Sequence, residues 1–89
     1  MSEFIQYDLG YLNSGQIVEV TLKGSAANVR LMDNSNFNSY RQGGRHTYVG
    51  GLVQRSPIRL ATDRPGYWYV TVDMAGLVGR VNASVKVLS

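Results

Sequence analysis

The sequence predicts a single all-β domain, either a small jelly-roll-like β-sandwich or a partly open barrel, built from six to eight short strands. Three observations lead to this prediction. Apolar and polar residues alternate along several runs, β-branched and aromatic residues are concentrated in those runs, and residues typical of turns separate them. A chain of 89 residues has room for one domain with a small core. We therefore expect residues 1–89 to form one sandwich domain.

Three runs alternate most clearly, and each places its apolar side chains on one face: residues 17–23, 67–73 and 81–87. In the second run, Trp68, Val70 and Val72 are expected to face the core and Tyr67, Tyr69, Thr71 and Asp73 to face outward. Shorter strands are expected at residues 4–9, 28–32, 45–49 and 57–62. Turn compositions separate the strands at residues 13–15, 24–28, 63–66 and 75–79.

Residues 30–51 depart from this alternation. They hold the only histidine, two of the six tyrosines and four of the ten glycines. Within them, residues 33–44 are expected to form a long loop, and loops of this length in compact domains tend to be functional. Polar side chains can cap and turn this backbone, and Phe37 with Tyr40 can form one helical turn that anchors it on the core.

The net charge of +3 is unevenly distributed along the chain. Residues 1–40 carry two basic and four acidic side chains, a balance of −2, whereas residues 41–64 carry five arginines and one aspartate, a balance of +4. Arginine suits carboxylates, phosphates and stacked rings, although a basic surface can also serve solubility alone. Because the net charge is low and no RNA-binding signature is present, nucleic acid is not an expected partner. No apolar run is long enough for a membrane span, so we expect a cytoplasmic protein without membrane contact.

The residues that metal and cofactor sites need are scarce. The chain has no cysteine and only His46 as a histidine, which leaves no zinc set. Residues 33–36 offer oxygen ligands but lack the glycine and terminal glutamate of an EF-hand loop. No metal or cofactor is therefore expected. A hydrolase centred on His46 is the least favoured function, because no motif places Ser35, Ser39 or Ser56 beside it. We expect a protein that is not an enzyme.

Binding fits the composition better than catalysis does. Guanidinium and aromatic side chains together suit protein surfaces, sugars and nucleotides, although cross-strand aromatic pairs can also serve stability alone. We predict a non-catalytic module that contacts a protein partner through residues 33–51 and adjoining strand faces. A sugar- or nucleotide-binding module is the alternative, a small anionic ligand is possible, and pairing between exposed sheet edges would allow self-association. The predicted contact residues are Tyr40, Arg41, Arg45, His46, Tyr48, Arg59, Tyr67 and Tyr69.

Six segments carry a resemblance to a known family: residues 15–22, 28–33, 36–37, 40, 48–51 and 66–72, which read GQIVEVTL, NVRLMD, NF, Y, YVGG and GYWYVTV. In this order they resemble a family of small bacterial all-β domains of unknown function, and the resemblance covers nearly the whole chain. Members of that family occur alone or joined to TIR-type signalling domains. The resemblance implies a recognition or adaptor role, and it transfers no catalytic or binding residue to this sequence.

Overall fold

The computed structural model describes residues 4–74, 77 and 79–88. This part of the chain contains, in order, strands β1 Phe4–Leu12, β2 Ile17–Gly24 and β3 Ala27–Asp33, helix α1 Asn34–Arg41, and strands β4 Val49–Val53, β5 Ile58–Ala61, β6 Gly66–Asp73 and β7 Val81–Leu88. All strand pairs are antiparallel, and they form a four-stranded sheet in the order β1-β6-β3-β4 and a three-stranded sheet in the order β5-β2-β7.

The core lies between the two sheets. Apolar side chains that alternate along β6 meet those of β2, β3 and the ends of β1 and β4, and this cluster comprises Leu12, Val18, Val20, Ala27, Val29, Leu31, Val53, Trp68, Val70 and Val72. Each sheet buries one face because alternate side chains of a strand point to opposite sides. The predicted all-β sandwich is confirmed, and the strands of the described residues do not close into a barrel.

Most predicted strands are confirmed. Strands β2, β6 and β7 match the three clearest runs, and β1, β3 and β5 lie where shorter strands were expected. Val87, one of the apolar residues predicted to share a face of the third run, is 37% exposed, because it lies near the end of β7, an edge strand. The turn at residues 13–15 lies between strands as predicted. The turns predicted at 24–28 and 63–66 are shorter, because β2 ends at Gly24, β3 begins at Ala27 and β6 begins at Gly66. Ala75, Gly76 and Val78 of the turn predicted at 75–79 lie outside the described residues.

The strand predicted at residues 45–49 is wrong, since β4 begins only at Val49 and ends at Val53. Residues 45–48 are not paired in a sheet because they lie against α1 instead, where the Thr47 amide donates to Asn36 Oδ1. Gly50 then lets β4 approach β3 closely. Its φ is +122°, and a Cβ at this position would collide with the carbonyl oxygen of Val29.

The loop predicted at residues 33–44 is also wrong, because eight of its residues form α1. Asp33 caps the helix by accepting a hydrogen bond from the Asn36 amide at 3.0 Å. Gly43, with a φ of +80°, ends it in the left-handed conformation typical of helix C-termini. The single turn expected from Phe37 and Tyr40 is thus two turns long. Among the described residues, no helix has the length and apolar character that crossing a membrane requires.

Helix α1 packs on the outer face of the four-stranded sheet and creates a second, smaller core there. Phe37 is 3% exposed, and its ring stacks on Tyr69 at 4.2 Å between centroids with an angle of 13°. Phe4 approaches the Phe37 ring edge-on at 6.2 Å. Thr71 and Asp73 point outward as predicted, yet both are buried, since α1 covers this part of the sheet.

Candidate functional site

A buried carboxylate organises the space beneath α1. The Asp73 side chain, 2% exposed, accepts hydrogen bonds from Arg30 Nη1, from the Tyr40 hydroxyl at 2.7 Å and from Asn28 Nδ2 at 2.9 Å. The Arg30 Nη1 and Asp73 Oδ2 atoms are 2.6 Å apart. These four residues, which we call the Asp73 cluster, come from β3, α1 and β6. A buried charge is tolerated when it is paired and hydrogen-bonded in this way, so the cluster holds the three elements in one arrangement.

Tyr40 serves this cluster as a hydrogen-bond donor. Burial, the hydrogen bond to Asp73 and the negative charge of Asp73 together raise the pKa of Tyr40 from 10.0 to about 12. The hydroxyl therefore stays protonated at neutral pH and keeps donating to the carboxylate. Tyr40 was predicted as a contact residue, and the structure gives its hydroxyl an internal partner.

Arg30 is held between two aromatic rings. Its guanidinium carbon lies 5.3 Å from the centroid of Tyr40 and 5.0 Å from that of Tyr48, distances at which a cation is attracted by a ring face. One guanidinium nitrogen is engaged by Asp73, whereas Nε is buried and has no hydrogen-bond partner in the described part of the chain. These contacts leave Arg30 little freedom to move, and they fix the Tyr48 ring above it.

The segment between α1 and β4 is fastened to the helix. Asn36 accepts from the Thr47 amide at 2.8 Å, and the Gly44 amide donates to the Ser39 carbonyl at 2.7 Å. His46 Nδ1 lies 3.0 Å from the carbonyl oxygen of Gly44. A carbonyl only accepts, so Nδ1 carries the proton in this contact. The segment is therefore tied to α1 at Gly44 and at Thr47, and the His46 contact lies within the segment itself.

An open cleft of about 540 Å³ lies between this segment and the Asp73 cluster. We call it the α1 cleft, and its lining residues are Arg30, Asn36, Gly44, Arg45, His46, Thr47 and Tyr48. None of these is acidic. Arg45 is exposed and makes no ion pair within the described residues, and Tyr48 is 43% exposed. The cleft thus presents a free guanidinium and an aromatic ring to solvent.

The structure brings four of the predicted contact residues together. The ring of His46 lies 5.1 Å from that of Tyr40 and 5.6 Å from that of Tyr48, and Arg45 lines the same cleft. Arg41 lies nearby on α1, where its guanidinium carbon is 5.5 Å from the Phe37 centroid and it donates to Asn38. The region predicted from the sequence therefore does form one surface.

The other three predicted residues lie outside the cleft. Arg59 is on β5 in the second sheet, where it pairs with Glu19 at 3.1 Å. Tyr67 lies on the outer face of the first sheet next to Tyr11, with ring centroids 5.7 Å apart. Tyr69 is covered by α1 through its stacking on Phe37. All three point outward from their strands, but an outward direction alone does not place them at one site.

Six residues of the site were not predicted, namely Asn28, Arg30, Asn36, Gly44, Thr47 and Asp73. Arg30 and Asp73 both occupy outward positions of clear strands, which is a visible signal in the sequence. Their meeting depends on β3 pairing with β6, which sets Asn28 opposite Asp73 and Arg30 opposite Thr71. That pairing could not be read from either strand alone.

The hydrolase hypothesis finds no geometric support. Among the described residues no hydrogen bond joins His46 to a serine, and Ser56 donates to the Leu22 carbonyl instead. In the same part of the chain, no three histidine, aspartate or glutamate side chains come close enough together to hold a metal ion. That the protein is not an enzyme and uses no cofactor stays a prediction.

Comparison with known proteins places the chain in a family. It matches no curated protein and no solved structure. One family model matches residues 2–89, nearly the whole sequence, and its description is domain of unknown function. The chain therefore belongs to the DUF1883 family of domains of unknown function.

Proposed function

We propose that this protein is a non-catalytic binding module that contacts a protein partner through the α1 cleft. One observation carries the proposal: Arg45 and Tyr48 are exposed side chains without a hydrogen-bond partner in the described residues, and they border a framework held by the Asp73 cluster and by the hydrogen bond from the Thr47 amide to Asn36. Arginine and tyrosine are the residue types that most often dominate protein interfaces, because each combines apolar area with hydrogen-bond donors.

The rigidity of the framework supports the proposal. Binding is weakened by the entropy lost when mobile side chains are ordered, so a surface that is ordered in advance loses less. The Tyr48 ring lies over Arg30, which Asp73 holds in turn. The Thr47 amide is held by Asn36. A partner therefore meets a surface whose backbone and principal ring are already positioned.

The charge of the cleft favours a partner with an acidic group. Asp73 balances the charge of Arg30, while Arg45 contributes a positive charge that no described acidic residue offsets. Opposite charges at an interface steer the encounter and exclude partners of the wrong sign. Arg59, by contrast, is already paired with Glu19 and offers less unbalanced charge.

The more specific predictions made from the sequence also belong to the proposal. A recognition or adaptor role, a bacterial origin, linkage to TIR-type domains and a cytoplasmic location rest on the sequence alone. Sugar or nucleotide binding also stays a prediction. Self-association through the β1 edge is less favoured, because the register shifts between Asp8 and Gly10, and such a bulge interrupts regular edge pairing.

The test is affinity capture from a lysate of the source organism with three variants. Arg45→Ala should lose the captured partner while its melting temperature stays within about 2 °C of the original protein, since its side chain is exposed and unpaired. Tyr48→Ala should also lose the partner, but its melting temperature should fall by roughly 4–8 °C because the ring also contacts Arg30. Arg59→Ala removes an exposed arginine from the other sheet and should retain the partner. Equal capture by all variants would show that the cleft is not the contact surface.

A further inference from the structure

We propose that the group recognised in the α1 cleft is a phosphate monoester, presented by the partner as a phosphorylated side chain. This inference rests on the proposed function and names its ligand.

Three side chains of one short segment supply the donors. Arg45 provides a planar guanidinium, and the hydroxyls of Thr47 and Tyr48 make no hydrogen bond within the described residues. His46 uses the proton on Nδ1 for the Gly44 carbonyl, and with the proton there Nε2 of the uncharged ring is an acceptor, so His46 is not counted among the donors. Arginine binds phosphorylated residues through charged hydrogen bonds, and hydroxyl groups beside it can donate further hydrogen bonds to the phosphate oxygens.

The carboxylates near the cleft are paired with cations. Asp73 is engaged by Arg30 and Tyr40, whereas Asp33 and Asp63, which line an adjoining pocket with Thr47 and Tyr48, both pair with Arg64. The C-terminus of α1 also borders the cleft, and free carbonyls there would repel an anion. The carbonyls of Asn38, Ser39 and Tyr40 instead accept from the amides of Gln42, Gly44 and Gly43, respectively. An incoming anion therefore meets donors rather than unpaired acceptors.

The geometry favours a phosphate over a carboxylate. A carboxylate presents two oxygens in one plane, which a single guanidinium can satisfy, whereas a phosphate monoester presents three oxygens in a tetrahedral arrangement and carries a charge of about −1.5 to −2. The cleft has donors from several side chains and a volume of about 540 Å³, more space than a carboxylate needs. The buried frame around Arg30 gives these donors a fixed base.

The direct test is an NMR titration of the whole ¹⁵N-labelled protein with inorganic phosphate, O-phospho-L-serine, adenosine monophosphate and acetate at constant ionic strength. Phosphate and phosphoserine should shift the amide signals of Gly44 to Tyr48 and the Arg45 Nε signal saturably, and acetate should do so at least about ten-fold more weakly. Arg45→Ala should weaken phosphoserine binding about ten-fold or more, as expected for a lost charged hydrogen bond, and Arg59→Ala should leave it unchanged.

Two results of this titration would overturn the inference. Shifts that do not saturate, or that are the same in Arg45→Ala, would mean that the cleft holds no phosphate. Tighter binding of adenosine monophosphate than of phosphoserine would overturn the assignment to a phosphorylated side chain and indicate a free phosphate ester instead. Preserved signal dispersion in Arg45→Ala would confirm that this variant is folded.

Phosphatase treatment of the lysate separates this inference from the proposed function. If the partner is captured before but not after treatment, the phosphate assignment is supported. Capture that survives the phosphatase and still requires Arg45 would overturn the phosphate assignment and leave the binding module in place. Capture that does not require Arg45 would overturn the proposed function whatever the titration shows.

Discussion

Replacing Tyr40 with phenylalanine removes a single hydroxyl from the Asp73 cluster and leaves the ring. The ring should keep its contacts with Phe4 at 5.0 Å and His46 at 5.1 Å, and with the guanidinium of Arg30 at 5.3 Å. What is lost is the hydrogen bond of 2.7 Å that the hydroxyl donates to the buried carboxylate. The variant therefore tests whether the cluster stabilises the fold, with little change in packing.

The expected loss of stability follows from the hydrogen-bond partners of the Tyr40 hydroxyl and the Asp73 carboxylate. A hydrogen bond to a charged group contributes about 1.5–3 kcal/mol, and leaving a buried acceptor short of one donor adds to the loss. Tyr40 is only half-buried and Asp73 keeps Arg30 and Asn28, so we expect the lower part of this range, about 1.5–2 kcal/mol. For a domain of this size that corresponds to a fall of roughly 6–16 °C in melting temperature.

The raised pKa of Tyr40 determines how this stability difference changes with pH. The pKa of Tyr40 is about 12 in the folded protein and 10.0 in its unperturbed state, so the protonated hydroxyl stabilises the fold fully below pH 10. This contribution is lost as the pH rises from 10 to 12. The stability difference between the original protein and Tyr40→Phe should therefore be constant near neutral pH and shrink across that interval.

Urea unfolding followed by circular dichroism at a series of pH values measures both quantities. Tyr67→Phe is the matched control, because Tyr67 is 59% exposed and its hydroxyl has no hydrogen-bond partner in the described residues. This control should change the free energy of unfolding by less than about 0.5 kcal/mol. If Tyr40→Phe behaves like Tyr67→Phe, or if its effect does not decline above pH 10, the reasoning about the Asp73 cluster is wrong.

Two further predictions concern the support of the cleft. Phe37→Ala should lower the free energy of unfolding by about 3 kcal/mol, because it removes a ring that is 3% exposed from the contact between α1 and the sheet. Hydrogen exchange should show that the amides of α1 lose protection while those of β2 keep it, and an equal loss in β2 would mean that α1 does not unfold as a separate unit. Asn36→Ala removes the acceptor of the Thr47 amide, so that amide should exchange about ten-fold faster, and an unchanged rate would show that Asn36 does not hold the segment.

Much of the fold could be predicted because it depends on local pattern. Along β2, β6 and β7 the alternation of side chains follows from strand geometry, so the face that a residue occupies is set by its position in the strand. Helix α1 lacks such a pattern. Only Phe37 and Tyr40 among its residues are large and apolar, and the helix forms because Asp33 caps it and the sheet buries Phe37.

The candidate site was likewise predicted only in part from the sequence. The sequence alone predicted residues 30–51 as the functional region, through their charge, their histidine and their break in alternation, and it determined the sandwich that supports them. Only the tertiary structure decided which outward residues meet. It brought Asp73 beneath Tyr40 through the pairing of β3 with β6, and it placed Arg59 in the other sheet. The physical reason is that periodicity arises within one strand, whereas a buried ion pair depends on residues that are distant in sequence and that only the order of strands brings together.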